Sequence, residues 1–107
     1  MEYDASLLRE FAIEAREHLE SVEDNLLKLA IQKDDPDREM IDRVFRSVHS
    51  IKGGAGFLSL QQMSKLAHAM EALLSEFRSG ERAIGNDTID ALIAGVDLIQ
   101  LMLEDTE

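Results

Sequence analysis

Residues 45–58 read FRSVHSIKGGAGFL, and the fold turns on whether this stretch is one helix or a helix that runs out into a loop. Gly53, Gly54 and Gly56 argue for the loop, since each glycine inside a helix costs roughly 1 kcal/mol relative to alanine. The apolar spacing argues the other way. Ile41, Val44, Val48 and Ile51 recur at steps of three and four, and the same rhythm passes through the glycines to Ala55 and Leu58. The next start signal comes only at Ser59, which forms a Ser-x-x-Gln capping box with Gln62, Leu58 and Met63 being placed as a hydrophobic staple. The stretch therefore reads as helix to its end, with a bare strip where the glycines fall.

The same rhythm extends outward on both sides. A first helix is expected from roughly Ser6 to Ala30, on the stripe Leu8, Phe11, Ala15, Leu19, Val22, Leu26 and Leu29. The loop Gln32 to Asp35 ends it. Asp35 is placed to cap the second helix, with Pro36 in the first helical position, where a missing N–H costs nothing. The third stripe is Met63, Leu66, Met70, Leu73 and Phe77, stopped by Gly80. Asn86 or Asp87 opens a fourth helix on Ile89, Leu92, Val96, Ile99 and Leu103. No segment alternates with period two, and no hairpin signal appears. Four amphipathic helices joined by short loops predict an all-α fold, an antiparallel up-down-up-down four-helix bundle, with residues 1–107 as one domain. The alternating steps predict nearly aligned, left-handed packing. Met63 and Met70 read as core gap-fillers, and Gly95 as a site of close helix packing.

Composition narrows the function. The 107 residues include 22 acidic and 11 basic side chains, a net charge of −11, so phosphate backbones and anionic membranes would be repelled. No apolar run reaches the roughly 18 residues that would span a bilayer, and Glu2 and Asp4 stand where a signal peptide would be basic. The absence of Cys excludes disulfides, zinc thiolates and thiol catalysis, and fits a cytoplasmic protein. The charge is uneven: residues 1–35 and 81–107 each carry −6, whereas residues 36–60 carry +1. An anion is locally tolerated only in the middle of the chain. A ferritin-like di-iron site needs Glu three residues before His, but Ala15, Arg46 and Lys65 precede His18, His49 and His68. The glycine cluster lacks the Gly-Lys-Ser/Thr of a nucleotide loop. A helical docking module without covalent chemistry is the other class open, with Phe57 and Leu58 contributing to an apolar groove.

Heptad positions then bring candidate groups together. With Ile41, Val48 and Ala55 at a, His49 falls at b, on the flank of the core, and Gly53 lies one turn further on. Lys52 and Arg46 stand one turn to either side of the imidazole; Arg46 either steers an acidic partner or balances charge. With Met63, Met70 and Phe77 at a, Glu71 falls at b and His68 at the neighbouring f. His49 lies ten residues before Ser59, His68 nine after and Glu71 twelve after, so an antiparallel hairpin sets the three at similar height on one side. A neutral imidazole is a good nucleophile near pH 7, and a carboxylate on one ring nitrogen frees the lone pair of the other. Glu71 is the candidate orienting group and Lys52 the cation for an anion built on His49. A phosphoryl group is the natural electrophile, because its transfer depends on positioning and charge neutralisation. His68 reads either as a hydrogen-bond partner or as a solvated surface histidine, and His18 as surface.

The run FRSVHSIKGGAGFLSL, the long first helix and the downstream His-x-x-Glu together resemble histidine phosphotransfer (HPt) domains, in particular the N-terminal domain of CheA-type chemotaxis histidine kinases. The resemblance implies that His49 accepts a phosphoryl group from ATP through a histidine kinase catalytic domain and passes it to an Asp of a response regulator receiver domain. It implies that Lys52, Gly53, Gly54 and Gly56 form the surface around the phosphoryl group, with Glu71 and His68 as support. A carrier of this kind is not an enzyme on its own. It needs no cofactor of its own: ATP and Mg are bound by the kinase domain, and Mg by the response regulator. A monomeric domain without nucleic-acid or membrane partners is expected. Two departures stand out. Ser59 occupies a position where many relatives have Gly, and the further helix and linker that often follow are not present before Glu107. Fragment and stand-alone carrier both stay open on that second point.

Overall fold

In the computed structural model, which describes residues 5–32 and 35–106, helix α2 (Arg38–Phe57) runs unbroken through all three of its glycines. It is flanked by α1 (Ala5–Ile31), α3 (Gln61–Ser79) and α4 (Asn86–Asp105). Glu2, Asp4 and the loop positions Lys33 and Asp34 lie outside the described residues. Helix α1 packs on α2 and α4, and α3 packs on the same two. The expected four-helix bundle results, 47 Å long and about 20 Å across. A single core runs its length, from Ala15, Leu19, Val22, Leu26 and Leu29 through Ile41, Val44, Val48 and Ile51 to Leu92, Val96, Ile99 and Leu103.

The stripes of α1, α2 and α4 face that core as expected, with Leu8 and Phe11 half-buried where α1 begins. Helix α3 does not follow its expected stripe. Its buried positions are Met63, Ala67, Met70, Leu74 and Phe77, while Leu66 and Leu73 are only half-buried. Leu66–Ala67 and Leu73–Leu74 are adjacent apolar pairs, and either member of each pair satisfies the three-and-four spacing. Turning the helix to bury Ala67 and Leu74 leaves the other two leucines against the core margin. Gly95 has the packing role expected of it: a Cβ there would lie 2.8 Å from Met70 Sδ.

Two expected caps are replaced. Asp37, not Asp35, caps α2, its carboxylate accepting from the amides of Glu39 and Met40, so Pro36 precedes the cap. A cap here frees Arg38, the first residue of α2, to donate to the carbonyls of Phe77 and Arg78 at the end of α3. Ser59 does not cap α3. It terminates α2 in the left-handed region, with φ +60°, while the Leu60 amide reaches the Ala55 carbonyl at 2.8 Å and the Ser59 amide reaches Gly56 at 3.1 Å. These two bonds form a Schellman motif, which satisfies the last carbonyls of α2 and is the reason glycine is favoured at that position. The cap residue of α3 is then Leu60, with no side-chain hydrogen bond, while Leu58 and Met63 are both buried. Gly80 ends α3 with φ +83°, as its composition requires.

Candidate functional site

The turned register of α3 brings the site together. Relative to the buried Ala67, Met70 and Leu74, Glu71 sits at the edge of the core and not one position outside it. Lys52 holds the equivalent edge on α2, and the two edges meet where the helices run antiparallel. Lys52 Nζ donates to Glu71 Oε1 at 2.8 Å, and His49 Nδ1 lies 2.5 Å from Glu71 Oε2. Glu71 is the hub of the site: both its oxygens are engaged, one by each partner.

Exposure differs sharply between them. The Glu71 side chain is 14% exposed and that of His49 62%. Burial pushes the Glu71 carboxyl up, but the hydrogen bonds and charges of Lys52 and His49 outweigh it and leave it below its ordinary value of 4.5. Glu71 is therefore an anion at neutral pH, and an anion accepts from Nδ1–H. The imidazole is thereby assigned the tautomer with its proton on Nδ1 and an unshared pair on Nε2, a nitrogen with no hydrogen-bond partner among the described residues.

The remaining expected residues separate into groups. Lys52, Gly53, Gly56, Ser64, Lys65 and His68 line one open groove of about 490 Å³ between α2 and α3, beside the imidazole. A Cβ on Gly53 would meet nothing within 4 Å, and one on Gly56 only Ser64 Oγ at 3.5 Å. Gly54 is elsewhere. It faces α1, where a Cβ would come within 2.6 Å of the Phe11 ring, so its bareness serves helix packing. His68 lies in the groove with Lys52, but makes no hydrogen bond to His49 or Glu71 among the described residues. Arg46 lies on the exposed α2 face with Glu39, Asp42 and Arg43, one turn before His49, and has no ion-pair partner among the described residues.

Sequence reasoning missed two neighbours of the imidazole. The Phe45 ring lies nearly parallel to it, at 7° with centroids 6.2 Å apart. The guanidinium of Arg78 sits 4.2 Å from the centre of the Phe45 ring, and Arg78 Nε is 3.5 Å from Asp42 Oδ1. An aromatic four residues before a helical His is a readable signal. Arg78 is not readable in the same way, because its approach to α2 depends on the register of α3.

Among the described residues no group of His, Cys, Asp and Glu could hold a metal ion, and no helix is long and apolar enough to cross a membrane. The geometry is that of an exposed imidazole, oriented at Nδ1 by Glu71, near an open groove whose lining includes Gly53, Gly56 and Ser64.

Comparison with known proteins identifies the family and the fold. A family model described as the Hpt domain matches residues 6–107. The chemotaxis protein CheA of Treponema pallidum is 36% identical over 92% of this chain, which corresponds to 12% of that protein's length. The CheA phosphotransferase domain from Thermotoga maritima superposes with a TM-score of 0.89 at 35% identity, covering 97% of both chains. The phosphorylated P1 domain of CheA3 from R. sphaeroides, solved in complex with CheY6, superposes with a TM-score of 0.85 at 25% identity, over 96% of this chain and 79% of that one.

Proposed function

The chain belongs to the Hpt domain family, and on that premise we propose that His49 is its phosphoryl-carrying residue. The observation that carries this reading is the pairing of His49 Nδ1 with Glu71, which leaves Nε2 with a lone pair on a ring that is mostly exposed. In the first step the Nε2 lone pair attacks the γ-phosphorus of ATP, held by a histidine kinase catalytic domain. The bond to the ADP oxygen breaks, and ADP departs with that electron pair. No proton has to leave Nε2, because the Nδ1–H tautomer has none there. The ring becomes cationic as the N–P bond forms, and the Glu71 carboxylate opposes that charge at Nδ1. In the second step a receiver Asp oxygen attacks phosphorus in line, the N–P bond breaks, and its pair returns to Nε2.

Lys52 supports the transfer by fixing Glu71 and placing a cation at the mouth of the groove. Gly53 and Gly56 keep that groove open to a partner's loops. ATP and magnesium belong to the partner kinase domain, and magnesium to the receiver. This chain is a carrier without kinase activity of its own. We assign it to the cytoplasm, where the ATP of the proposed kinase partner is available. The CheA3 P1 domain was solved with a CheY protein, and a receiver domain is accordingly the acceptor we assign.

The test is to incubate the domain with a CheA-type kinase catalytic domain and ATP. An acid-labile, base-stable label is expected on the wild-type chain. His49→Gln should reduce it to background while the helical circular dichroism is unchanged. Label persisting in His49→Gln overturns the assignment.

A further inference from the structure

Glu71 fixes one point of the His49 imidazole, and one hydrogen bond does not fix a ring plane. A side chain that is 62% exposed can still rotate about that contact, swinging Nε2 through an arc. The second support comes from Phe45, whose ring stands nearly parallel, at 7°, against the imidazole one helical turn away. Phe45 is itself half-buried against the core and covered by the Arg78 guanidinium at 4.2 Å, a cation–π contact. Arg78 comes from α3 and is tethered back to Asp42 on α2. The imidazole is therefore tied to α3 by two routes: directly through Glu71, and indirectly through Phe45 and Arg78.

We propose that Phe45, clamped by Arg78, is a positioning residue that sets the plane of the His49 ring and so the direction of Nε2 toward the incoming phosphorus. This rests on His49 being the phosphoryl acceptor. In-line transfer is sensitive to that direction, and a misplacement of about 1 Å can slow a reaction by about a hundredfold. Neither residue touches the reacting atoms, so both act through the imidazole.

The experiment uses phosphoramidate as a small phosphoryl donor, so that no partner surface is involved. Nε2 attacks its phosphorus, the donor P–N bond breaks and ammonia leaves. The rate of His49 phosphorylation is measured in the wild type, Phe45→Leu, Phe45→Tyr, Arg78→Met and the Phe45→Leu/Arg78→Met double variant. Imidazole ¹⁵N shifts and thermal melts are recorded for each. Phe45→Leu should slow the reaction by about tenfold and weaken the Nδ1–H tautomer preference, while Phe45→Tyr, which keeps a flat ring, should restore both. Arg78→Met should give a smaller loss, and none beyond that of Phe45→Leu in the double variant. Because Arg78 is half-exposed, its variant reports on the clamp even if Phe45→Leu lowers the melt. Wild-type rates and ¹⁵N shifts in Phe45→Leu and Arg78→Met would overturn the positioning role. A wild-type chain that takes no phosphoryl group at His49 would instead overturn the functional reading beneath it.

Discussion

The two sides of α2 at its glycine segment differ as much as any two surfaces of this bundle. Toward α3, Gly53 opens on empty space and borders the groove beside His49. Toward α1, its chain neighbour Gly54 is pressed against the Phe11 ring. On the proposed function, Gly53 lacks a side chain so that a partner can approach His49. The other lacks one so that the molecule can close on itself. The same residue type, repeated within four positions, is thus required for opposite reasons.

The same substitution placed on each side is the strongest way to break that contrast. Gly54→Leu should destabilise the fold by about 3 kcal/mol, the upper end of ordinary overpacking costs, because the Phe11 ring has to be displaced. Urea titration followed by circular dichroism reads this directly, and a variant as stable as the wild type would remove the packing role of Gly54. Gly53→Leu should keep or raise the urea midpoint while slowing phosphoryl transfer to a receiver domain, and unchanged transfer would remove the role of the open strip. Gly53→Ala sharpens the point, since it should stabilise α2 by about 1 kcal/mol without steric cost. Ser59→Gly relieves a left-handed residue at the end of the same helix and should add about 0.5–1 kcal/mol, seen as a higher melting temperature.

The smallest effect is electrostatic. Glu71 is held below its ordinary value of 4.5 in the folded state, so its contribution to stability is present above that value and is lost as pH falls through the lowered one. Wild-type stability measured against that of Glu71→Gln should therefore converge as the solution is acidified from above 4.5 through the lowered value, and a constant difference would place the role of Glu71 outside its charge.

Much of this was legible in the sequence, and the failures share a cause. The stripes read for α1, α2 and α4 are apolar registers that do face the core, with Asn25 buried beside the first of them, and the continuity of α2 through its glycines follows from the same spacing. Helix α3 has two such registers, so its rotation is decided by packing against its neighbours and not by its own pattern. That rotation places Glu71 at the core edge, where Lys52 as well as His49 reaches it, and it carries Arg78 onto Phe45. The height of Glu71 beside His49 was countable along the chain; its distance from the core was not. Ser59 shows a different limit. Its sequence context is that of a helix start, and only the backbone shows it serving the end of the preceding helix. The glycines failed in the most instructive way, because a sequence shows that a side chain is missing but not on which side the space is used.

The double engagement of Glu71 has a consequence for how long a charged carrier can wait. A carboxylate beside a phosphorylated ring is the natural group to deprotonate a water molecule and discharge the bond unproductively. Here one oxygen accepts from Lys52 and the other from the ring itself, which lowers the basicity of the carboxylate and makes it a poorer base for that role. On the reading of His49 as the phosphoryl carrier, the arrangement that readies Nε2 for loading would also limit leakage to solvent, and would leave timely release to a partner that brings its own acceptor.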